Sequence, residues 1–344
     1  MAQINKPDLY FNTKLYTGTG ATASITGVGF QPDWTWIKCR NVGYNHNVYD
    51  SVRGVTKPLL TNLTNAETTE TDTLISFDSD GFSVGDGGII NQSSQTYVAW
   101  NWLANGAGSA NTDGSISSTV SANTTAGFSI VSYTGSGANA TIGHGLGSAP
   151  KVVIVKTIDA ARDWTVYHGG ISGMAGGYII LNASDAFSTA FSTIWNNTNP
   201  TSSVFSVGTA NTSNNLNSNY IAYCFAEKQG YSKFGSYTGN GSNDGPFIYT
   251  GFKPAFVIFK RTDGTGNWTL LDNKRIGYNG SNYWLEPNTS DAEDSESSWL
   301  DLLSNGFKFT VGGTLGNASG SSYIYMAFAE NPFVTSTGVP ATAR

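Results

Sequence analysis

Three passages of this chain repeat one another, and that repetition limits the folds open to it. Tyr16-Thr17-Gly18-Thr19-Gly20 returns as Tyr133-Thr134-Gly135-Ser136-Gly137 and as Tyr237-Thr238-Gly239-Asn240-Gly241. Each opening is followed by a proline (Pro32, Pro150, Pro254), then by an apolar run ending in lysine (Lys38, Lys156, Lys260). Further on stand Asp50, His168 and Asp272, and each passage closes on an aromatic run: Tyr97 to Trp102, Tyr220 to Phe225 and Tyr323 to Phe328. A period of roughly 100 residues is too long for a solenoid unit and suits a small domain. The repeats span 8–103, 127–229 and 231–333. Between the first two, 104–126 is rich in Ala, Asn, Gly, Ser and Thr and predicts a linker. The tail, 334–344, has no pattern of its own.

The lysine-ended runs predict strands. One face carries Trp34/Trp36, Val152/Ile154 and Phe256/Ile258, and the other Thr35/Ile37, Val153/Val155 and Val257/Phe259. Apolar residues on both faces mean cover on both sides. In a sandwich one face meets the opposing sheet; the second must meet a neighbouring domain, a loop or another chain. Asp80-Gly81 and Asn305-Gly306 are hairpin signals at equivalent places. Short helical turns are expected near Thr64–Glu67 and Thr289–Glu293, where Thr precedes acids. The predicted class is all-β: three tandem β-sandwich or jelly-roll-like domains of about 100 residues.

Charged residues are 12% of the chain, net charge is −6 and aromatics are 13%. The aromatics argue against disorder, and the scattered cations against nucleic acid or anionic membrane as partner. No apolar run approaches the roughly 18 residues of a membrane helix. Met1 to Pro7 lacks a hydrophobic signal core, so folding in a cytoplasm is expected. Cys39 and Cys224 sit at non-equivalent places and are expected as free thiols. The Asn-x-Ser/Thr triplets, as at Asn62, Asn139 and Asn267, follow from composition.

The candidate chemistry is sparse. The Tyr-Thr-Gly-x-Gly openings lack the Gly-Lys-Ser/Thr of a phosphate loop and predict turns. Lys38 with Asp50, and Lys260 with Asp272, predict solvated cross-strand pairs. Asp78-Ser79-Asp80-Gly81 begins like a calcium loop without the distal Glu. His46, His144 and His168 have no zinc-ligand spacing, and no cofactor is expected. Trp34, Trp36, Trp100 and Trp102 fall on periodic strand faces and predict core. Trp164 and Trp268, eight residues after their lysines, are the candidates for exposed ligand stacking.

Gly29-Phe30-Gln31-Pro32-Asp33-Trp34-Thr35-Trp36-Ile37-Lys38, Tyr49-Asp50-Ser51-Val52-Arg53-Gly54 and Ser76 to Phe82 resemble an uncharacterised family of repeated domains. So do Gly143 to Pro150, Trp195-Asn196-Asn197-Thr198 and Ala327 to Phe333. That family is encoded mainly by tailed bacteriophages of marine bacteria and cyanobacteria, among virion structural genes. It has no catalytic signature to transfer. The resemblance implies a non-enzymatic virion structural protein, folded in the host cytoplasm before assembly. The expected role is an accessory or decoration component on capsid or tail, with other virion proteins and further copies of itself as partners. Two rivals stand beside it: a tail-fibre or receptor-binding module recognising host surface glycan through Trp164 and Trp268, and a polysaccharide depolymerase using paired carboxylates.

Overall fold

In a computed structural model that describes residues 2–275, 279–313 and 315–340, the three repeats use their strands in the same order. The first large sheet runs Phe11–Thr17, Thr96–Trp102, Trp34–Cys39, Asn47–Asp50 and Gly54–Leu60. In the second, Phe128–Thr134, Asn219–Phe225, Val152–Thr157 and Thr165–His168 lie in that order; in the third, Ser232–Thr238, Ser322–Pro332, Phe252–Arg261 and Thr269–Asp272. Opening strand, closing strand, lysine strand and the strand after it are thus neighbours three times over. The register repeats too. Tyr16 faces Tyr97, Tyr133 faces Tyr220 and Tyr237 faces Tyr323. Each tyrosine pair stacks, with centroids 5.0, 5.1 and 5.0 Å apart.

The class is all-β and sandwich-like, with antiparallel sheets and helices of a single turn. A small sheet covers one face of each large one: Ala23–Thr26 with Gly81–Val84 and Leu74–Asp78; Ala140–Gly143 with Val204–Val207; Phe247–Tyr249 with Gly306–Phe309 and Leu300–Leu303. Between the layers lie three separate cores. Ile37, Tyr49, Phe82 and Ala99 belong to the first, Val153, Val155, Phe205 and Ala222 to the second, and Val257, Phe259, Phe307 and Ala327 to the third. Period-two alternation sends every other residue of each strand into these cores.

The remaining faces turn toward one another. Trp34, Trp36, Trp100 and Trp102, Val152, Ile154, Tyr223 and Phe225, and Phe256, Ile258, Met326 and Phe328 form a single fourth core drawn from all three repeats. This is what covers the second face of the lysine strands: neighbouring repeats of the same chain. Trp102, Phe225 and Phe328 hold the same place in their closing strands and meet there. Trp102 lies 5.6 Å from Phe328 and Phe225 5.9 Å from Phe328, while Trp34 bridges Trp102 and Phe225 at 4.5 and 5.8 Å. The offset and edge-on geometries are those that ring quadrupoles favour.

Several expectations are corrected. The stretch 104–126 is no linker. Ser109–Asn111 and Ser118–Asn123 extend the second large sheet, with Val120 paired to Val131 and buried. Gly106 is tied to Asp33 and Ser51. Low apolar content misled because Ser and Ala suffice on a strand whose hydrogen bonds do the anchoring. Thr64–Glu67 and Thr289–Glu293 form no helix. Glu67 and Glu293 instead give their backbone N–H groups to the carbonyls of Ile158 and Arg40 in other repeats. In the tail, Thr335 and Val339 close a tight turn and Ser336 bonds to Asn5, so its order comes from the same chain; residues 341–344 lie outside the described residues.

Candidate functional site

The polar residues that recur among the repeats converge on the three joints. Lys38, Lys156 and Lys260 are buried. Each donates to the carbonyl of the residue after it, and each also reaches a neighbour: Lys38 Nζ to Ser290 O at 3.2 Å, Lys156 Nζ to Thr64 O at 3.1 Å and Lys260 Nζ to Ser184 O at 3.2 Å. The first repeat thus grips the third, the second grips the first and the third grips the second. That cycle closes the chain into a ring. Burial lowers all three ammonium groups from 10.5 to about 8, because charge is costly where water is excluded. Lys38 does not pair with Asp50: in the strand register Asp50 stands opposite Trp34, at the other end of the strand.

Asp50, His168 and Asp272 make a second cycle, in the opposite sense. Asp50 accepts from Tyr223 Oη at 2.7 Å, and Asp272 from Trp100 Nε1 at 3.0 Å. His168 Nε2 stands 3.1 Å from Tyr325 O. The exchange of residue types has a chemical reason. Trp100, Tyr223 and Met326 share one place in the closing strands. Where that residue offers a donor the receptor is an aspartate; where it is Met326, which offers none, a histidine turns to the backbone carbonyl. The charge is exchanged with it. Arg53 and Arg275 lock Asp50 and Asp272 through Nε at 2.6 and 2.8 Å, and the residue at that place in the second repeat is Ile171, packed on the core. A buried carboxylate needs its cation and a neutral imidazole does not. Burial pushes His168 down to about 4.

Trp164 and Trp268, expected as exposed stacking platforms, are 1% and 2% exposed. Their indole N–H groups donate across the joints, Trp164 to Leu60 O at 2.9 Å and Trp268 to Ile180 O at 2.8 Å. Their place in the first repeat belongs to His46, buried and accepting from Trp36 Nε1 at 3.0 Å. A residue seven positions past the end of a strand reads as loop, but in a ring of sandwiches that loop is the joint.

Three residues passed unnoticed in the sequence: Asn91, Asn214 and Asn317, each six before the closing-strand tyrosine. All are buried. Each Oδ1 accepts from the backbone of the Tyr-Thr-Gly-x-Gly turn, at Thr19, Ser136 and Asn240. Each Nδ2 donates to two carbonyls, for Asn91 those of Ala21 and Gly85. The threefold spacing was the available signal. Asp80 is likewise a backbone ligand. It accepts from Gly29 N at 2.7 Å and Gly27 N at 3.0 Å, which hold its carboxyl below the usual range. Among the described residues no group of three or more His, Cys, Asp or Glu is placed to hold a metal ion. Both cysteines are buried thiols.

At the meeting point of the repeats a void of about 20 Å³ is lined by Trp34, Trp102, Phe225, Phe256 and Phe328 among other apolar side chains. Walls of that kind and size stay dry and hold no ligand. The arrangement therefore defines a class: a single-chain ring of three sandwich-like repeats sharing one core. The chain belongs to the family described as Domain of unknown function (DUF7483), which matches residues 6–332. That match spans all three repeats. No curated protein and no solved structure matches the chain.

Proposed function

We propose that the protein is a non-enzymatic structural component of a bacteriophage particle, an accessory or decoration protein on capsid or tail that acts by position. The observation that carries the non-enzymatic reading is the fate of its repeated ionisable groups. Lys38, Lys156, Lys260, Asp50, His168 and Asp272 are buried and committed to partners within the ring. A catalytic acid or base instead stands in a cleft within reach of substrate. The particle assignment rests on the resemblance of the repeats to phage virion proteins. A ring with one shared core suits an extracellular particle, since opening any joint exposes aromatic surface from two repeats.

Contact with a neighbouring particle protein falls to the third repeat's edge strand Phe247–Tyr249. Phe247 is 46% and Tyr249 59% exposed on the same face of that strand, and an open sheet edge is a template for association. The test is mass spectrometry of purified particles with gold-labelled antibody on their surface. Stoichiometric presence with surface decoration is expected, reduced by Phe247→Ser with Tyr249→Ser. Absence from particles, with cleavage of a polysaccharide by the purified protein, overturns the reading in favour of a depolymerase.

A further inference from the structure

The second repeat holds a cleft whose chemistry the other two repeats do not share. It lies over the paired strands Thr165–His168 and Ile179–Ile180, beside the loop around 191–194 and the helical turn Asn211–Asn214, and its volume is about 380 Å³. That is the size of a small-ligand site. One wall is aromatic: Tyr178 and Phe191 lie with centroids 5.9 Å apart and rings tilted by 37°. Phe191 is 60% exposed, an unusual position for a ring in a chain that buries most of its aromatics. Thr212 lines another wall.

Asp163 supplies the charge. Its Oδ1 accepts from Asn182 Nδ2 at 2.9 Å, and no donor among the described residues meets Oδ2. The same bond recurs in the other repeats between amides, Asn62 to Asn45 and Asn288 to Asn267, both at 2.8 Å. An amide thus meets the structural need, and only the second repeat carries a carboxylate there. In place of Thr212 the others have Ile89 and Leu315, and the corresponding cleft of the third repeat is lined by Glu286, Asp291, Glu293 and Asp294.

We propose that the second-repeat cleft binds a neutral saccharide. Phe191 takes the C–H face of a pyranose ring, whose positive hydrogens suit the negative face of the arene. Asp163 accepts from adjacent sugar hydroxyls. No Lys or Arg lines the cleft, and Lys156, on which the Asp163 charge acts, is buried and committed to the carbonyls of Thr64 and Thr157, so no cationic side chain faces an anionic sugar beside Asp163. The proposal is independent of whether the protein sits on a particle.

The test uses the full chain with maltose, cellobiose, lactose and chitobiose as probes and sialyllactose as the charged comparison, read by saturation-transfer NMR and titration calorimetry. At least one neutral probe is expected to bind at millimolar concentration or below. Phe191→Ala is expected to weaken it roughly tenfold or more without moving the melting temperature, because the ring is exposed. Asp163→Asn keeps the bond to Asn182, as the other repeats show, and is expected to weaken binding as well. No neutral probe bound, binding of sialyllactose alone, or binding untouched by both substitutions each overturns the proposal.

Discussion

Asp50 and Asp272 are buried carboxylates whose charge is met by a neighbouring arginine and whose second partner comes from another repeat. Removing the carboxylate leaves the buried arginine with a single carboxylate, Glu67 for Arg53 and Glu293 for Arg275, each at 3.0 Å. Asp50→Asn is therefore expected to cost about 1–3 kcal/mol in urea unfolding, the cost of weakening a buried charge-assisted hydrogen bond. A loss below about 1 kcal/mol would show that Glu67 and the backbone carbonyls of Val48 and Lys57 satisfy Arg53 without Asp50. His168 answers to pH instead. Its folded-state value is depressed to about 4 from 6.5 by burial, so the unfolded chain takes up the proton first. The stability it carries is complete above pH 6.5 and is lost as pH falls from 6.5 to about 4. His46 is depressed in the same direction and adds to the loss. Urea midpoints against pH should fall across that window, and less steeply in His168→Gln. Parallel slopes would refute the assignment. The lysines act at the other end. With folded values near 8 against 10.5, their penalty is full below pH 8 and is relieved as pH rises from 8 toward 10.5.

Among the elements, strands with a strong apolar period were legible and joints were not. The lysine strands, the closing strands and their two-sided cover follow from residues such as Trp34, Ile154 and Phe256. Trp164 and Trp268 were misread because their burial depends on another repeat, which local pattern does not encode. Ser109–Asn111 and Ser118–Asn123 were missed because few of their side chains are large and apolar. Two measurements follow from these elements. Deleting 107–112 removes an edge strand and should lower the melting temperature by several degrees, where a true linker would tolerate it. Gly306 is required by close approach rather than by a left-handed backbone: a Cβ there would lie 2.1 Å from Ile248 O, and at the matching Gly81 one would lie 2.0 Å from Ile25 O. Gly306→Ala should thus destabilise by more than about 1 kcal/mol, despite alanine's general advantage over glycine. An unchanged midpoint would mean that the small sheet gives way without cost.

For the whole molecule, the shared core decides what can exist alone. Cut free, the second repeat would expose Ile154, Val166, Tyr223 and Phe225 together, which are nearly fully buried in the ring. Burial of each such side chain is worth about 1.5–3 kcal/mol, so losing all four costs roughly 6–12 kcal/mol, as much as the typical 5–15 kcal/mol stability of a whole domain. The cut would also leave Trp164 Nε1, Lys156 Nζ and His168 Nε2 without their partners in other repeats. The family match over residues 6–332 accords with a unit that is not divided further. A fragment of 107–229, which keeps the strands Ser109–Asn111 and Ser118–Asn123 of its own sheet, is therefore expected to be insoluble or unfolded, and the intact chain to melt in one transition, with calorimetric and van't Hoff enthalpies equal. Trp102→Ala, at the meeting point of the repeats, should lower that single transition by the roughly 3–5 kcal/mol of a buried tryptophan, shifting it as a unit rather than splitting off the first repeat. Resolved successive transitions, or a folded monomeric second repeat, would mean that the three sandwiches are independent domains that merely touch.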